Sequence, residues 1–442
     1  MVSKLNAAEV LNFLIIVSTI LIVARIFGEI CRRYKQPVVI GEILAGIVLG
    51  PSLLGTVAPH LFEQIFISQP KAYGAFDGLA NIGIILFMFI AGFEVDLKQI
   101  RKQGKQATSI SIMSLIFPFA LGFLTVWFFH GSIFSGTAKN PLIPAMFFGT
   151  ALSITALSII VKVLMDLNIL RSKIGNLILT AAMINDFIGW ILFSVIIQLM
   201  KTGGQENSLW SITMVLVFAF FILTIGRWIV DKILLVANKF LTHGGIITIA
   251  VCLCLLSAVL TEYLGVRGIF GAFLMGVAIG DSKYFPEKFH HSLQQFVINI
   301  IAPLFFASIG LRINFITNFQ LDTVAIILLI ACLGKILGAF MGSRMSGFKK
   351  NESMAIAFGM NARGSQEIVL GLLALQAKII DEPIFVGLVV MTIITILISG
   401  PFMKYYLAKH KVETEPLENV SNENPVSPLH LMHAEAEVVY HE

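Results

Sequence analysis

Charge is what this sequence has least of. Only 13% of its 442 residues are Asp, Glu, Lys or Arg, against about 25% in an ordinary soluble domain. Apolar residues make up 57% and the mean hydropathy is +0.88, so the chain is solvated by lipid rather than by water. Cysteine is scarce as well. Cys252, Cys254 and Cys332 lie inside apolar runs and Cys31 follows the first such run, which leaves no disulfide or zinc framework. There is no His-Glu-x-x-His, and the lone Gly280-Asp281 falls at a loop edge, so an intramembrane enzyme has no recognisable centre. The net charge of +5 is spread through short gaps between apolar runs, which speaks against nucleic acid. The N-terminus lacks a basic leader and a small-residue cleavage site, so residues 10–26 are expected to span rather than to be clipped.

A helix needs roughly 20 apolar residues to cross the hydrocarbon core. On that measure the sequence predicts an all-α polytopic membrane protein of thirteen spans. They fall near residues 9–27, 37–55, 76–94, 107–130, 141–163, 173–200, 209–230, 245–262, 266–281, 291–310, 321–343, 352–378 and 383–405. The stretch 56–70 is too short and interrupted to cross and reads as an interfacial turn. Alternate gaps hold 21 Lys and Arg on one side and 7 on the other. The positive-inside rule then predicts a cell-membrane protein with its N-terminus outside and its C-terminus cytoplasmic. Residues 1–407 form the membrane domain. Residues 408–442 carry seven Glu together with His410, His430, His433 and His441, and read as a disordered cytoplasmic tail with no soluble regulatory domain behind it.

Ionisable side chains inside a bilayer cost several kcal/mol and are functional candidates by default. Asp186 lies in the sixth span, within Leu179-Thr-Ala-Ala-Met-Ile-Asn-Asp-Phe-Ile-Gly-Trp190, beside the non-ionisable Asn185. It is either a structural carboxylate bonded to hydroxyls or the working group of the protein, and mid-membrane burial favours the second. The fifth span places Thr150, Ser153, Thr155 and Ser158 among small residues between Gly149 and Ser158. Such hydroxyls either bond back to their own helix or satisfy a helix break and coordinate a cation. The twelfth span contains Gly359-Met-Asn-Ala-Arg-Gly-Ser-Gln-Glu-Ile-Val-Leu370, whose Asn361, Arg363, Gln366 and Glu367 are too polar to face lipid. Arg363 and Glu367, four apart, form either a mutually compensating pair or part of a substrate site. Lys335 sits mid-span with no acid on its own apolar stretch, so it needs a partner from another helix, with Asp186 and Glu367 as candidates.

The two irregular spans are the fifth and the twelfth. An odd offset of seven makes any repeat relating them inverted across the membrane, with half-helix ends meeting at the midplane. This repeat rests on the positions of the breaks, because no strong residue-by-residue identity is evident between the halves.

Five motifs together resemble those of the monovalent cation:proton antiporters of the Kef and plant cation–proton exchanger branch, over about residues 8–405. They are Gln36-Pro-Val-Val-Ile-Gly-Glu-Ile-Leu-Ala-Gly-Ile-Val-Leu-Gly-Pro-Ser52, Leu86-Phe-Met-Phe-Ile-Ala-Gly-Phe-Glu94, Asn185-Asp186, Pro303-Leu-Phe-Phe-Ala-Ser-Ile-Gly310 and Met360-Asn-Ala-Arg-Gly364. The resemblance implies inverted repeats with two crossed broken helices, in a core domain that moves as an elevator against a dimerisation domain of a homodimer. It implies that Asp186 alternately binds proton and cation, that Lys335 is the basic residue of the neighbouring core helix, and that Thr155 and Ser153 belong to the broken helix beside the site. Asn185 matches the Asn-Asp pattern of electroneutral exchangers, whereas a lysine such as Lys335 often accompanies the two-aspartate pattern. The run Met360–Glu367 resembles the plant version, which leans towards K⁺.

The expected partners are a monovalent cation (K⁺ or Na⁺) at Asp186, H⁺ and membrane lipid, with no cofactor. Proton and dehydrated cation would compete for one carboxylate, and hydroxyls and carbonyls would supply hard oxygen ligands, which makes 1:1 exchange the simplest stoichiometry. A cation efflux channel of Kef-like type is the alternative, although a selectivity filter repeated around an axis is not evident.

Overall fold

The computed structural model describes residues 4–34, 36–93, 95, 104–129, 141–167, 169, 172–201, 208–264 and 267–409. The tail expected at 408–442 lies outside them from residue 410 onward, as do Glu94 and the loop residues Lys35, Lys98, Arg101, Lys102, Lys139 and Arg171. The side chains of Ser158 and Ser365 lie outside the description too.

Within lipid every backbone N–H and C=O must find an internal partner, and helices satisfy that requirement segment by segment. All regular elements among the described residues are helical. In chain order they are α1 (Ala7–Arg33), α2 (Val38–Leu49), α3 (Pro70–Phe93), α4 (Gly104–Phe129), the broken pair α5a (Leu142–Ala151) and α5b (Leu157–Asp166), and α6 (Lys173–Lys201). Next come α7 (Ser208–Phe221 and Arg227–Phe240 around a π-turn at Ile222–Gly226), α8 (His243–Tyr263) and α9 (Gly268–Gly280). The series closes with α10 (Glu287–Phe296 and Ala302–Arg312 around a π-turn at Val297–Ile301), α11 (Leu321–Met345), the broken pair α12a (Lys350–Met360) and α12b (Ser365–Gln376), and α13 (Glu382–Ala408). Each of the thirteen expected spans matches one element. Among the described residues nine helices are long and apolar enough to cross a membrane, and the shorter apolar ones include α5a, α9 and most of α12b. The stretch between α2 and α3 is taken up by short helical turns at Leu54–Val57, Pro59–Phe62 and Glu63–Ile67.

The chain opens with a reciprocal cap. The Asn6 side chain accepts from the Glu9 N–H and the Glu9 carboxylate accepts from the Asn6 N–H, each at 2.8 Å. At the same end of the molecule, Lys71 pairs with Glu9 at 3.5 Å and Arg312 pairs with Asp77, joining α1, α3 and α10. Arg227 pairs with Asp281 and so ties α7 to the end of α9.

Packing divides the helices into two groups. One gathers α1, α2, α3, α8, α9 and α10; the other gathers α4, α5, α6, α11, α12 and α13. Within them the pairings repeat at an offset of seven: α1 on α2 matches α8 on α9, α2 on α10 matches α9 on α3, and α4 on α5a and α6 matches α11 on α12a and α13. Glycine makes the match exact to the residue. A Cβ at Gly46 would collide with the Ala307 carbonyl of α10, and one at Gly276 with the Phe89 carbonyl of α3. Likewise a Cβ at Gly310 would lie 2.7 Å from the Gly46 Cα, and one at Gly92 2.8 Å from the Gly276 Cα. Only small residues allow backbones this close in a membrane.

This symmetry is written in the sequence after all. The spacing Gly-x₄-Gly-x₃-Gly-x-Ser occurs at Gly41, Gly46, Gly50 and Ser52 and again at Gly271, Gly276, Gly280 and Ser282. Its partner, Leu-Phe-x₄-Gly, occurs at Leu86, Phe87 and Gly92 and again at Leu304, Phe305 and Gly310. The expected inverted repeat therefore rests on shared residues as well as on the positions of the breaks. The shared residues are those that govern helix contact, and the buried positions between them differ.

Candidate functional site

Helical hydrogen bonding lapses at residues 152–156 between α5a and α5b and at 361–364 between α12a and α12b. Both breaks fall inside the two stretches expected to be irregular. They touch: the Ala156 N–H donates to the Ala362 carbonyl at 3.1 Å. Half-helices cross there, with α5a against α12b and α5b against α12a. Gly364 permits the crossing, since a Cβ on it would lie 2.5 Å from that of Ala156.

A helix that stops mid-membrane leaves carbonyls without partners and the negative end of its dipole exposed. Arg363 supplies donors to the end of α5a. Its Nη2 donates to Leu152 O at 2.7 Å and to Ala331 O at 3.3 Å, and its Nη1 donates to Ala151 O at 3.3 Å. The same Nη1 pairs with Glu367 Oε1 at 2.9 Å, and Thr392 donates to Glu367 Oε2 at 3.3 Å. Both side chains of the pair are sealed from solvent, at 0% and 1% exposure. Glu367 also stands in the first turn of α12b, where a helix dipole favours an acid. In this geometry the two charges face each other across one helical turn.

Lys335, fully buried on α11, donates from Nζ to the Ser153 carbonyl in the first break. Its hydrogen-bond partner thus comes from another helix, and Asp186, Glu367 and the like-charged Arg363 surround it. Asn185 on α6 joins this cluster. With its amide oxygen turned to Lys335, it accepts from Nζ at 3.2 Å and from the Ser114 hydroxyl at 2.8 Å, while its NH₂ donates to Ser111 O at 3.0 Å. The Thr155 hydroxyl lies 3.4 Å from the same amide. Asp186, also buried, follows Asn185 and is the sole acidic residue of α6.

The expected hydroxyls therefore divide. Thr155 faces Asn185. The Ser153 hydroxyl bonds to Gly149 O at 2.7 Å and to Leu115 O at 2.9 Å, and Thr150 bonds to Met146 O at 2.9 Å. Ser153 thus contributes its carbonyl to the cluster, not its hydroxyl. Asn361 is fully buried, donates to the Cys332 sulfur at 3.6 Å, and leaves its Oδ1 without a partner among the described residues. Sequence reasoning passed over Ser111, Ser114 and Thr392. The i,i+3 serines of α4 carried a signal, since two hydroxyls on one face of an apolar span need a reason; Thr392, one turn from the end of no motif, did not.

The arrangement sets one ionisable acid beside a fixed neutral amide, with a lysine and a broken backbone around them. That combination can exchange a proton for a hard monovalent cation. The family described as sodium/hydrogen exchanger, transmembrane, matches residues 17–409. The Na⁺/H⁺ antiporter NhaS4 of Synechocystis sp. is 33% identical over 402 residues, which cover 89% of this chain and 97% of that protein. Cation/H⁺ antiporter 17 of Arabidopsis thaliana is 31% identical over 393 residues, 87% of this chain but 47% of its own length; this chain spans about half of that plant relative. In fold, the chain is similar to the sodium proton antiporter MjNhaP1 of Methanocaldococcus jannaschii, with a TM-score of 0.67, 16% identity, and coverage of 91% of this chain and 98% of that one.

Proposed function

Because this chain belongs to the transmembrane sodium/hydrogen exchanger family, we propose that it exchanges a monovalent cation, Na⁺ or K⁺, for protons, and that Asp186 is the site they share. The observation that carries this reading is the Asn185-Asp186 pair set against Lys335 and the crossed breaks. Proton and dehydrated cation exclude each other at one carboxylate, and only the neutralised site crosses. Coupling then follows from exclusion and needs no separate gate.

The group of α4, α5, α6, α11, α12 and α13 carries the ion, moving as an elevator against the other group, which also forms the homodimer contact. One carboxylate and a monovalent cation give 1:1, electroneutral exchange. Lys335, Arg363, Glu367 and Asn361 support the broken helices. The N-terminus lies outside and the C-terminus in the cytoplasm, a reading supported by the 21-to-7 division of Lys and Arg.

Cation-dependent proton flux in proteoliposomes tests the proposal, comparing Na⁺, K⁺ and Li⁺ with and without an imposed voltage. Exchange by at least one cation at a rate indifferent to voltage is expected. Cation current without matched proton movement would replace this reading with the Kef-like channel.

A further inference from the structure

Besides Asp186 and Glu367, Glu42 is a further membrane-embedded acid, and nothing in the exchange scheme uses it. It lies one turn into α2, is 3% exposed, and its Oε2 has no hydrogen-bond partner among the described residues. The internal repeat makes the position unusual. In the matched spacing Gly41 corresponds to Gly271 and Gly46 to Gly276, so Glu42 corresponds to Ala272, which is fully buried in the equivalent packing. An alanine satisfies the geometry, and the carboxyl is an addition to it.

The surroundings leave little to stabilise a charge. Gly41 brings α2 onto the backbone of Phe27 and Gly28 on α1, and Gly46 brings it onto Ala307 of α10. Such contacts exclude a hydrated counter-ion from between these helices. The nearby charge of opposite sign is Arg25 of α1. That guanidinium is 61% exposed and divided between Glu29 at 3.7 Å and Asn299 Oδ1 at 3.4 Å. From α10 the Asn299 and Gln295 amides face each other, and no ionisable residue occurs between His291 and Arg312. On α2 itself Glu42 is the only ionisable residue between Gln36 and Ser52. A carboxylate so placed is poorly compensated, whereas a neutral carboxylic acid is tolerated.

We propose that Glu42 is a second proton-binding site, held in the α1–α2–α10 packing apart from Asp186, and that it works with its proton on. Loss of that proton places a bare charge between helices locked by glycine contacts, so the packing of this group responds to acidity separately from the transport site.

The test is labelling of the full-length protein in liposomes with dicyclohexylcarbodiimide. The acid adds across one C=N bond: carboxyl oxygen bonds to the central carbon, the acid proton moves to nitrogen, and the adduct rearranges to a stable N-acylurea with no leaving group. Peptide mapping should find the adduct on Glu42, fading as pH rises and absent in Glu42→Gln. It should persist in Asp186→Asn, which separates this inference from the exchange reading. Arg25→Gln should leave the labelling unchanged. An unlabelled Glu42 throughout the pH range in which the protein stays folded would overturn the proposal. So would a several-fold rise of labelling in Arg25→Gln, because Arg25 would then have been holding an ionised Glu42. As a readout without label, the unfolding temperature of the wild type should fall with rising pH more steeply than that of Glu42→Gln, since the native state binds a proton that the unfolded chain releases. Parallel slopes would contradict it.

Discussion

The guanidinium of Arg363, on one broken helix, donates to the carbonyl of Leu152, at the break of the other, at 2.7 Å. Each break is thereby a condition of its partner. The same side chain holds Glu367 in a pair sealed from solvent. Removing one member of such a pair leaves an uncompensated buried charge and costs about 3–5 kcal/mol.

Arg363→Gln and Glu367→Gln are each expected to lower thermal stability in detergent sharply. The double substitution should lose less than the two losses added together, because no lone charge remains. Arg363→Lys should rescue poorly, since an ammonium cannot reproduce the planar fork that reaches Ala151, Leu152, Ala331 and Glu367 together. Strict additivity in a double-mutant cycle would show that the pair is not coupled.

Gly46→Ala and Gly276→Ala should behave alike. Each new methyl would meet a carbonyl oxygen across a helix contact, at Ala307 and at Phe89, and overpacking of this kind costs about 1–3 kcal/mol or more. Gly74→Ala, with nothing within 4 Å of the added carbon, should be neutral or gain about 0.5–1 kcal/mol from helix propensity. Folded yield and unfolding temperature are the readouts. Tolerance at one of the two matched glycines and collapse at the other would break the repeat argument.

Ser153 and Thr155 should separate. The Ser153 hydroxyl is occupied by Gly149 and Leu115 while its carbonyl serves Lys335, so Ser153→Ala should leave the apparent cation KM within about twofold. Thr155 points its hydroxyl at Asn185, so Thr155→Val should raise that KM by roughly tenfold, the worth of one hydrogen bond, and Thr155→Ser should restore it. Equal effects of the two deletions on KM would contradict the assignment.

Much of the fold was readable because lipid imposes it. Runs of about 20 apolar residues are spans, and stretches such as Gly359–Leu370 cannot face lipid, so both breaks were visible beforehand. The partners across the crossing were not. That Arg363 caps α5a, and that Ser153 offers its carbonyl, depends on how α5 and α12 meet, which no spacing along one helix records. The glycine repeat is present in the sequence, but overall identity between the halves is low because the positions between the shared glycines are filled by differing, mostly apolar residues. Glu42 lies inside the Gln36–Ser52 motif, and what sets it apart is the alanine, Ala272, at the equivalent place. The π-turns at Ile222–Gly226 and Val297–Ile301 each hold a single polar residue, Thr224 and Asn299, too little to mark them in the hydropathy pattern.

The central claim, that proton and cation share Asp186, is tested most directly by proton release. Purified protein in weakly buffered detergent is titrated with NaCl or KCl while a pH indicator follows free protons. By linkage, a cation that displaces a proton from one carboxylate releases up to about one proton per protomer. The account predicts saturable release from the wild type and none from Asp186→Asn that still elutes as folded protein. Undiminished release from Asp186→Asn would contradict it.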